Sequence, residues 1–285
     1  MADHSRAAPG VAHHMSDHRP VGVFDSGVGG LSIVREMRRQ MPRLDIVYVS
    51  DARYLPYGEK SDAFIRERAF AISDFLLAAG ARALVIACNT ATAAAAHALR
   101  AHYALPIVGI EPAVKPASQA TRSGIVGILA TAGTLQSRRY AELLERFGHF
   151  TRVLSQPASG LVEQVEAGDL DGPRTLALLR SCLRPLLDAG ADTVVLGCTH
   201  YPFLLEGIRA VVGPGVQVID ARAAVARRVA QVLGAAVDGG GLLRCYTSGD
   251  APAQQALMSR LLGEAVMVQP LPEASCVPPR VALAR

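Results

Sequence analysis

Residues 78–90 read "AAGARALVIACNT" and residues 188–200 read "DAGADTVVLGCTH". In each, a glycine closes a helical stretch, a short aliphatic run follows, and a cysteine then meets small polar residues. A continuous apolar run of this length, bounded by turn residues, is the pattern of a strand buried on both faces in a helix-covered parallel sheet. Aligning Cys88 with Cys198 places Gly80 on Gly190, Ala81 on Ala191 and Leu84 on Val194. The same unit is written twice, which predicts two similar α/β units.

The repeat extends outward. "VGVFDSGVGGLS" at 21–32 is echoed by "VGILATAGTLQS" at 126–137. Strands are expected at 21–24, 45–49, 83–87, 107–110, 125–130, 151–154, 193–197 and 216–219, with amphipathic helices between them. The helix at 62–79 begins after Ser61 and stops at Gly80, and that at 174–189 stops at Gly190, as C-terminal glycines do. The fold class is therefore α/β, with two mostly parallel central sheets flanked by helices. A first domain is expected from 20–113 plus 223–267, where the chain returns to it, and a second from 114–222. Residues 1–19 read as a disordered leader and the Pro-rich 268–285 as a mobile tail.

Composition narrows the function classes. Half of the 285 residues are hydrophobic, only 5% are aromatic, and the net charge of +4 is spread along the chain. No basic stripe with interleaved aromatics points to nucleic acid. No apolar run reaches the roughly 18 to 20 residues of a membrane span. Five cysteines at irregular spacing suit reduced thiols better than a disulfide framework, so a cytoplasmic protein without a membrane partner is expected. A homodimer is the expectation from the prevalence of twofold assemblies.

In open α/β sheets, ligands bind beyond the carboxyl ends of the strands. Four such ends carry polar residues: Asp25-Ser26, Cys88-Asn89-Thr90, Thr131 to Thr134, and Cys198-Thr199-His200. The glycine-rich 25–30 stretch fits neither a dinucleotide fingerprint, whose third glycine is replaced by Ser32, nor a P-loop, which needs a lysine. It reads instead as a tight turn whose N–H groups and Ser26 approach a small anion such as a carboxylate, with Asp25 facing an amine or a cysteine. Each cysteine alone reads as a small buried hydrophobe. As a matched pair, both directly preceding helix starts, they read as activated thiols. Cys182, Cys245 and Cys276 lack such surroundings. Zinc is the competing use, with Cys88, Cys198, His200 and Asp25 as its donors, but neither thiol has the second nearby cysteine usual in structural zinc sites; no metal site is assigned. His200, beside Cys198, is a candidate to assist proton transfer.

With these residues in hand, the sequence resembles the glutamate racemase family within the aspartate/glutamate racemase group. The resemblance rests on "GVFDSGVGGLS" at 22–32, "PYG" at 56–58, "ACNTATA" at 87–93, "GILATAGT" at 127–134 and "LGCTHYPFL" at 196–204, in family order from about residue 20 to 265. It implies a cofactor-independent isomerase that interconverts L- and D-glutamate and supplies D-glutamate for peptidoglycan. It further implies two pseudo-twofold-related domains with the active site in the cleft between them. Carried over, Cys88 and Cys198 would be the catalytic acid/bases for the D- and L-isomer respectively, assisted by Asp25 and His200. Ser26, Tyr57, Gly58, Asn89, Thr90, Thr134 and Thr199 would hold the substrate with Asp25 and His200. The segment "SQPASGLVEQVEAG" at 155–168 departs from the family pattern, with Gln156-Pro157 where Cys-Pro is common, and leaves an acidic helper unassigned between Glu163 and Glu166. A related racemase with aspartate specificity and a non-catalytic amino-acid- or metal-binding protein on the same scaffold are the alternative readings.

Overall fold

The computed structural model describes residues 18–148, 151–234 and 237–276. The first unit runs β1 (Val21–Asp25), α1 (Leu31–Gln40), β2 (Ile46–Ser50), α2 (Asp62–Ala78), β3 (Ala83–Ile86), α3 (Asn89–His102) and β4 (Ile107–Gly109). The second runs α4 (Val114–Ala120), β5 (Ile125–Ala130), α5 (Ala132–Leu135), α6 (Arg138–Phe147), β6 (Arg152–Pro157), α7 (Leu161–Glu166), α8 (Pro173–Asp188), β7 (Thr193–Leu196), α9 (Leu205–Val212) and β8 (Gln217–Ile219). The chain then returns through α10 (Arg222–Leu233), β9 (Leu243–Thr247), α11 (Ala251–Leu262) and β10 (Val268–Pro270).

Two sheets result, ordered β10-β9-β2-β1-β3-β4 and β6-β5-β7-β8, and every strand pair is parallel. The duplication is visible in the register. Val21 pairs with Ile46 on one side and Ala83 on the other; its counterpart Val126 pairs with Val153 and Thr193. The order 2-1-3-4 thus recurs as 6-5-7-8, and each central strand, β1 or β5, has the connection reversing direction beside it. That reversal opens a crevice at the strands' carboxyl ends. β1, β3 and β7 are buried along their whole length, as their uninterrupted apolar runs require.

Helix boundaries follow local chemistry. Ser61 caps α2 by accepting the Phe64 N–H, and Thr131 and Ser137 do the same for α5 and α6. α10 packs on α1 of the first unit. Among the described residues, no helix is long and apolar enough to cross a membrane.

Two strands depart from expectation. β9 and β10 extend the first sheet beyond β2, and β10 takes Val268–Pro270, which the sequence places in the Pro-rich tail. Its Pro270 lacks the N–H of a central strand, and β10 pairs only with β9, so the proline is tolerated at the edge. After β10 a 3-10 turn runs over Glu273–Cys276, and Tyr54 donates to the Cys276 carbonyl at 2.5 Å. Residues 1–17 of the leader and 277–285 of the tail lie outside the described residues.

Candidate active site

The carboxyl ends of β1, β3, β5 and β7 converge on a small cavity of about 20 Å³. Ser26, Tyr57, Gly58, Cys88, Asn89 and Thr90 line it from the first unit; Thr134, Cys198, Thr199 and His200 line it from the second. Asp25, the remaining predicted residue, is fully buried behind this wall.

Asp25 is held at the base of the turn that follows β1. Its Oδ1 accepts the Ser26 N–H at 2.8 Å, and its Oδ2 accepts the Gly30 N–H at 2.6 Å and the Thr199 hydroxyl at 3.2 Å. The turn does bring amides to carboxylates, as its glycines suggested, but these carboxylates are the protein's own: Asp25 in the turn, and Glu166 from α7, whose Oε1 accepts the Val28 N–H at 2.7 Å. The glycines are required by what lies against them. A Cβ on Gly27 would overlap the Glu166 carboxylate, and one on Gly29 would overlap the His200 ring.

The two thiols occupy different surroundings. Cys88 is the N-cap of α3: its sulfur accepts the Ala91 N–H at 3.4 Å and lies 3.9 Å from the Ser26 hydroxyl. Burial pushes the Cys88 thiol well up, and the nearby Asp25 charge pushes it further. Cys198 was expected to precede a helix in the same way, and it does not. A 3-10 turn at Tyr201–Leu204 follows, with Pro202 near its start, and α9 begins only at Leu205. The amide that would cap the sulfur, that of Tyr201, is turned to the Cys198 carbonyl at 3.3 Å.

His200 takes the place of the missing helix cap. Its Nδ1 lies 3.7 Å from the Cys198 sulfur, and its Nε2 lies 2.7 Å from Glu166 Oε1. Burial works against a charged imidazole, but the Cys198 sulfur and the Glu166 carboxylate outweigh it and raise the His200 pKa well above the ordinary histidine range. Asp25 moves the same way for a different reason: burial raises its pKa, and the His200 charge only partly offsets this.

Around the thiols, Thr90, Thr131 and Thr134 share their hydroxyls at 3.0 to 3.2 Å. Both amide atoms of the buried Asn89 lack a protein partner, which leaves a donor and an acceptor for a ligand in the cavity. Among the described residues, no group of three or more His, Cys, Asp or Glu side chains is disposed to hold a metal ion.

Glu166 is the site residue that the sequence left unresolved. It is part-buried behind His200, and Gln254 of the returning α11 approaches its other oxygen at 3.5 Å. Pro56, Thr131, Val162 and Gly197 complete the cavity lining. Of these, Thr131 stands at a strand end that the sequence marks, whereas Val162 carries no local signal, and neither does Gln254 beside Glu166.

The small cavity is walled by strand ends from both halves of a duplicated parallel α/β fold. In comparison with known proteins, the family model for Asp/Glu/hydantoin racemases matches residues 21–229. The chain belongs to that family and is an isomerase, an amino-acid racemase. It is 54% identical over 254 residues to the glutamate racemase of Ectopseudomonas mendocina, covering 87% of this chain and 97% of that one. Among solved structures it is similar to the glutamate racemase isoform RacE1 of Bacillus anthracis, with a TM-score of 0.82, 32% identity and coverage of 90% and 98%. It is also similar to Escherichia coli glutamate racemase in complex with L-glutamate and the activator UDP-MurNAc-Ala, with a TM-score of 0.81, 36% identity and coverage of 89% and 98%.

Proposed function

We propose that this chain interconverts L- and D-glutamate by two-base proton transfer between Cys88 and Cys198, without a cofactor, and supplies D-glutamate for peptidoglycan from the cytoplasm. The observation that carries this reading is the presence of one thiol from each unit in a single small cavity. Glutamate is supported by relatives named for that substrate at about half identity or more and by a similar structure holding L-glutamate.

Inverting a stereocentre requires a base on one face of the α-carbon and an acid on the other. The two thiols therefore have to start in opposite protonation states, and their surroundings supply the asymmetry. Cys88 keeps its proton because it is buried near a carboxylate. The sulfur of Cys198 lies 3.7 Å from the His200 ring, which the sulfur and the Glu166 carboxylate help to keep charged. In the L-to-D direction Cys198 takes the α-proton while the Cys88 thiol delivers its own to the opposite face. The enzyme is left with Cys88 as thiolate and Cys198 as thiol, the state that the reverse reaction needs. Asn89, the threonine cluster and the Ser26 and Thr199 hydroxyls hold the substrate and stabilise charge on its carboxylate as the α-carbon loses its proton.

Incubating the purified, metal-free protein with L- or D-glutamate in D2O tests this reading. Optical activity should decay to zero as deuterium appears at the α-carbon. Binding without exchange would make the chain an amino-acid-binding protein, and faster turnover of aspartate would reassign the substrate.

A further inference from the structure

Away from the thiols, the largest fully buried side chain among the described residues is charged. Arg68 of α2 is 1% exposed and makes a bidentate pair with the fully buried Asp51, Nε to Oδ2 at 2.9 Å and Nη2 to Oδ1 at 2.8 Å. The Tyr57 hydroxyl donates to Asp51 Oδ2 at 2.5 Å, and the Tyr54 ring lies 4.4 Å from the guanidinium carbon. Asp51 directly follows β2, and its amide donates to the Asp25 carbonyl at 3.0 Å, so the cluster is tied to the strand end that carries the site.

Such a pair is a costly way to fill a core, because apolar residues of similar volume often serve stability as well or better. Its geometry serves position. Tyr57 lines the substrate cavity, yet its hydroxyl is committed to Asp51, so the tyrosine offers its ring and backbone to the cavity. The next residue, Gly58, is one of the points at which the two units touch. A Cβ on Gly58 would lie 3.2 Å from the Thr131 Cβ, and one on Gly133 would lie 2.9 Å from the Gly58 carbonyl oxygen. The 56–58 turn therefore forms the cavity wall and closes against the second unit.

We infer that Asp51 and Arg68 are positioning residues: acting through Tyr57, they fix the 56–58 turn so that it closes the cavity over the substrate. This rests on the racemase reading of the site. A wall held out of place weakens binding of the ground state and the transition state alike, which raises KM more than it lowers kcat.

The test measures kcat and KM with both glutamate isomers, after D2O exchange has established that the wild type racemises. Failure of the wild type would overturn the function; the variants address only the positioning. Tyr57→Phe removes the hydroxyl and leaves the ion pair, and should raise KM about five- to tenfold while kcat falls less than about twofold. Arg68→Met should show a larger KM increase, partly recovered in Arg68→Lys, which restores charge without the planar fork. If Arg68→Met does not fold, Tyr57→Phe decides alone. Wild-type KM in folded Tyr57→Phe, or loss of kcat at unchanged KM, would overturn the inference. A lowered melting temperature with unchanged kinetics would also overturn it, assigning the cluster to stability alone.

Discussion

Replacing Glu166 with glutamine takes away one charge and little else. Oε1 accepts from both Val28 and His200, and a glutamine carbonyl oxygen can occupy the same point, so the turn keeps its acceptor. His200 loses a carboxylate 2.7 Å from its Nε2. A hydrogen bond to a charged group contributes about 1.5–3 kcal/mol against about 0.5–1.5 for a neutral one. The difference of about 1–1.5 kcal/mol corresponds to roughly 5- to 13-fold in rate if it is felt in the transition state. Because enantiomers have equal free energies, kcat/KM must fall by the same factor in both directions. The pH profile should change too. Glu166 is one of the groups that hold the His200 proton, so the alkaline limb of kcat/KM should move to lower pH in Glu166→Gln. Stability carries the same sign. A raised histidine pKa contributes stability that is complete below the ordinary histidine value and lost as pH rises through the raised one. The variant should therefore melt lower than wild type at pH 6, with the gap narrowing in alkali. Polarimetric kcat/KM from pH 6 to 10, with melting curves at both ends, measures all of this. Wild-type kcat/KM with an unmoved alkaline limb would refute a chain of influence from Glu166 through His200 to Cys198.

Cys88→Ala and Cys198→Ala should each reduce racemisation by at least about a hundredfold, the lower range for loss of a positioned acid or base, and either variant at wild-type turnover would disprove the two-base assignment. If the resting enzyme holds its proton on Cys88, D-glutamate must wait for the minor protonation state. KM and kcat should then both be larger for D-glutamate by the same factor, which initial rates with each isomer will show. Gly29→Ala places a methyl in the space of the His200 ring and should destabilise the fold by about 1–3 kcal/mol and cut activity. Gly215→Ala, where no atom lies within 4 Å, should change neither. Asp192 accepts from the Thr121 and Thr193 hydroxyls and the Arg122 and Ser123 amides, and despite the cost of burial these donors hold its carboxyl below the usual range. That stability is present above the ordinary carboxylate pKa and lost as pH falls. Asp192→Ala should lower the melting temperature by a few degrees at neutral pH and leave kcat/KM intact.

The eight strands expected from the sequence all form, within a few residues of their expected ends, and the central β1, β3 and β7 are short, mostly apolar and buried throughout. The two strands that escaped notice are less regular. β9 carries Arg244 in mid-strand, and β10 is three residues long and ends in proline, so neither has a periodic signal. The repeat placed Cys88 and Cys198 at equivalent strand ends, but equivalence stopped at the sulfur. After Cys88 a regular helix begins at once, whereas Pro202 and a 3-10 turn delay α9 and leave Cys198 to a histidine. The choice between Glu163 and Glu166 was beyond local reading. Glu163 sits in the first turn of α7 and Glu166 at its last residue, and only the packing of α7 against the glycine-rich turn decides which carboxylate meets His200.

The strand order of the first sheet bears on how the chain emerges from synthesis. β2, apolar and buried along its whole length, lies between β1 and β9, and β9 arrives only with residues 243–247, after the entire second unit. Until then one edge of β2 presents unpaired backbone groups beside aliphatic side chains, the situation that invites pairing with a neighbouring chain. A product truncated before residue 243 should therefore collect in aggregates even with the whole cavity lining encoded. The late returning segment acts as the nascent protein's own protection for that edge.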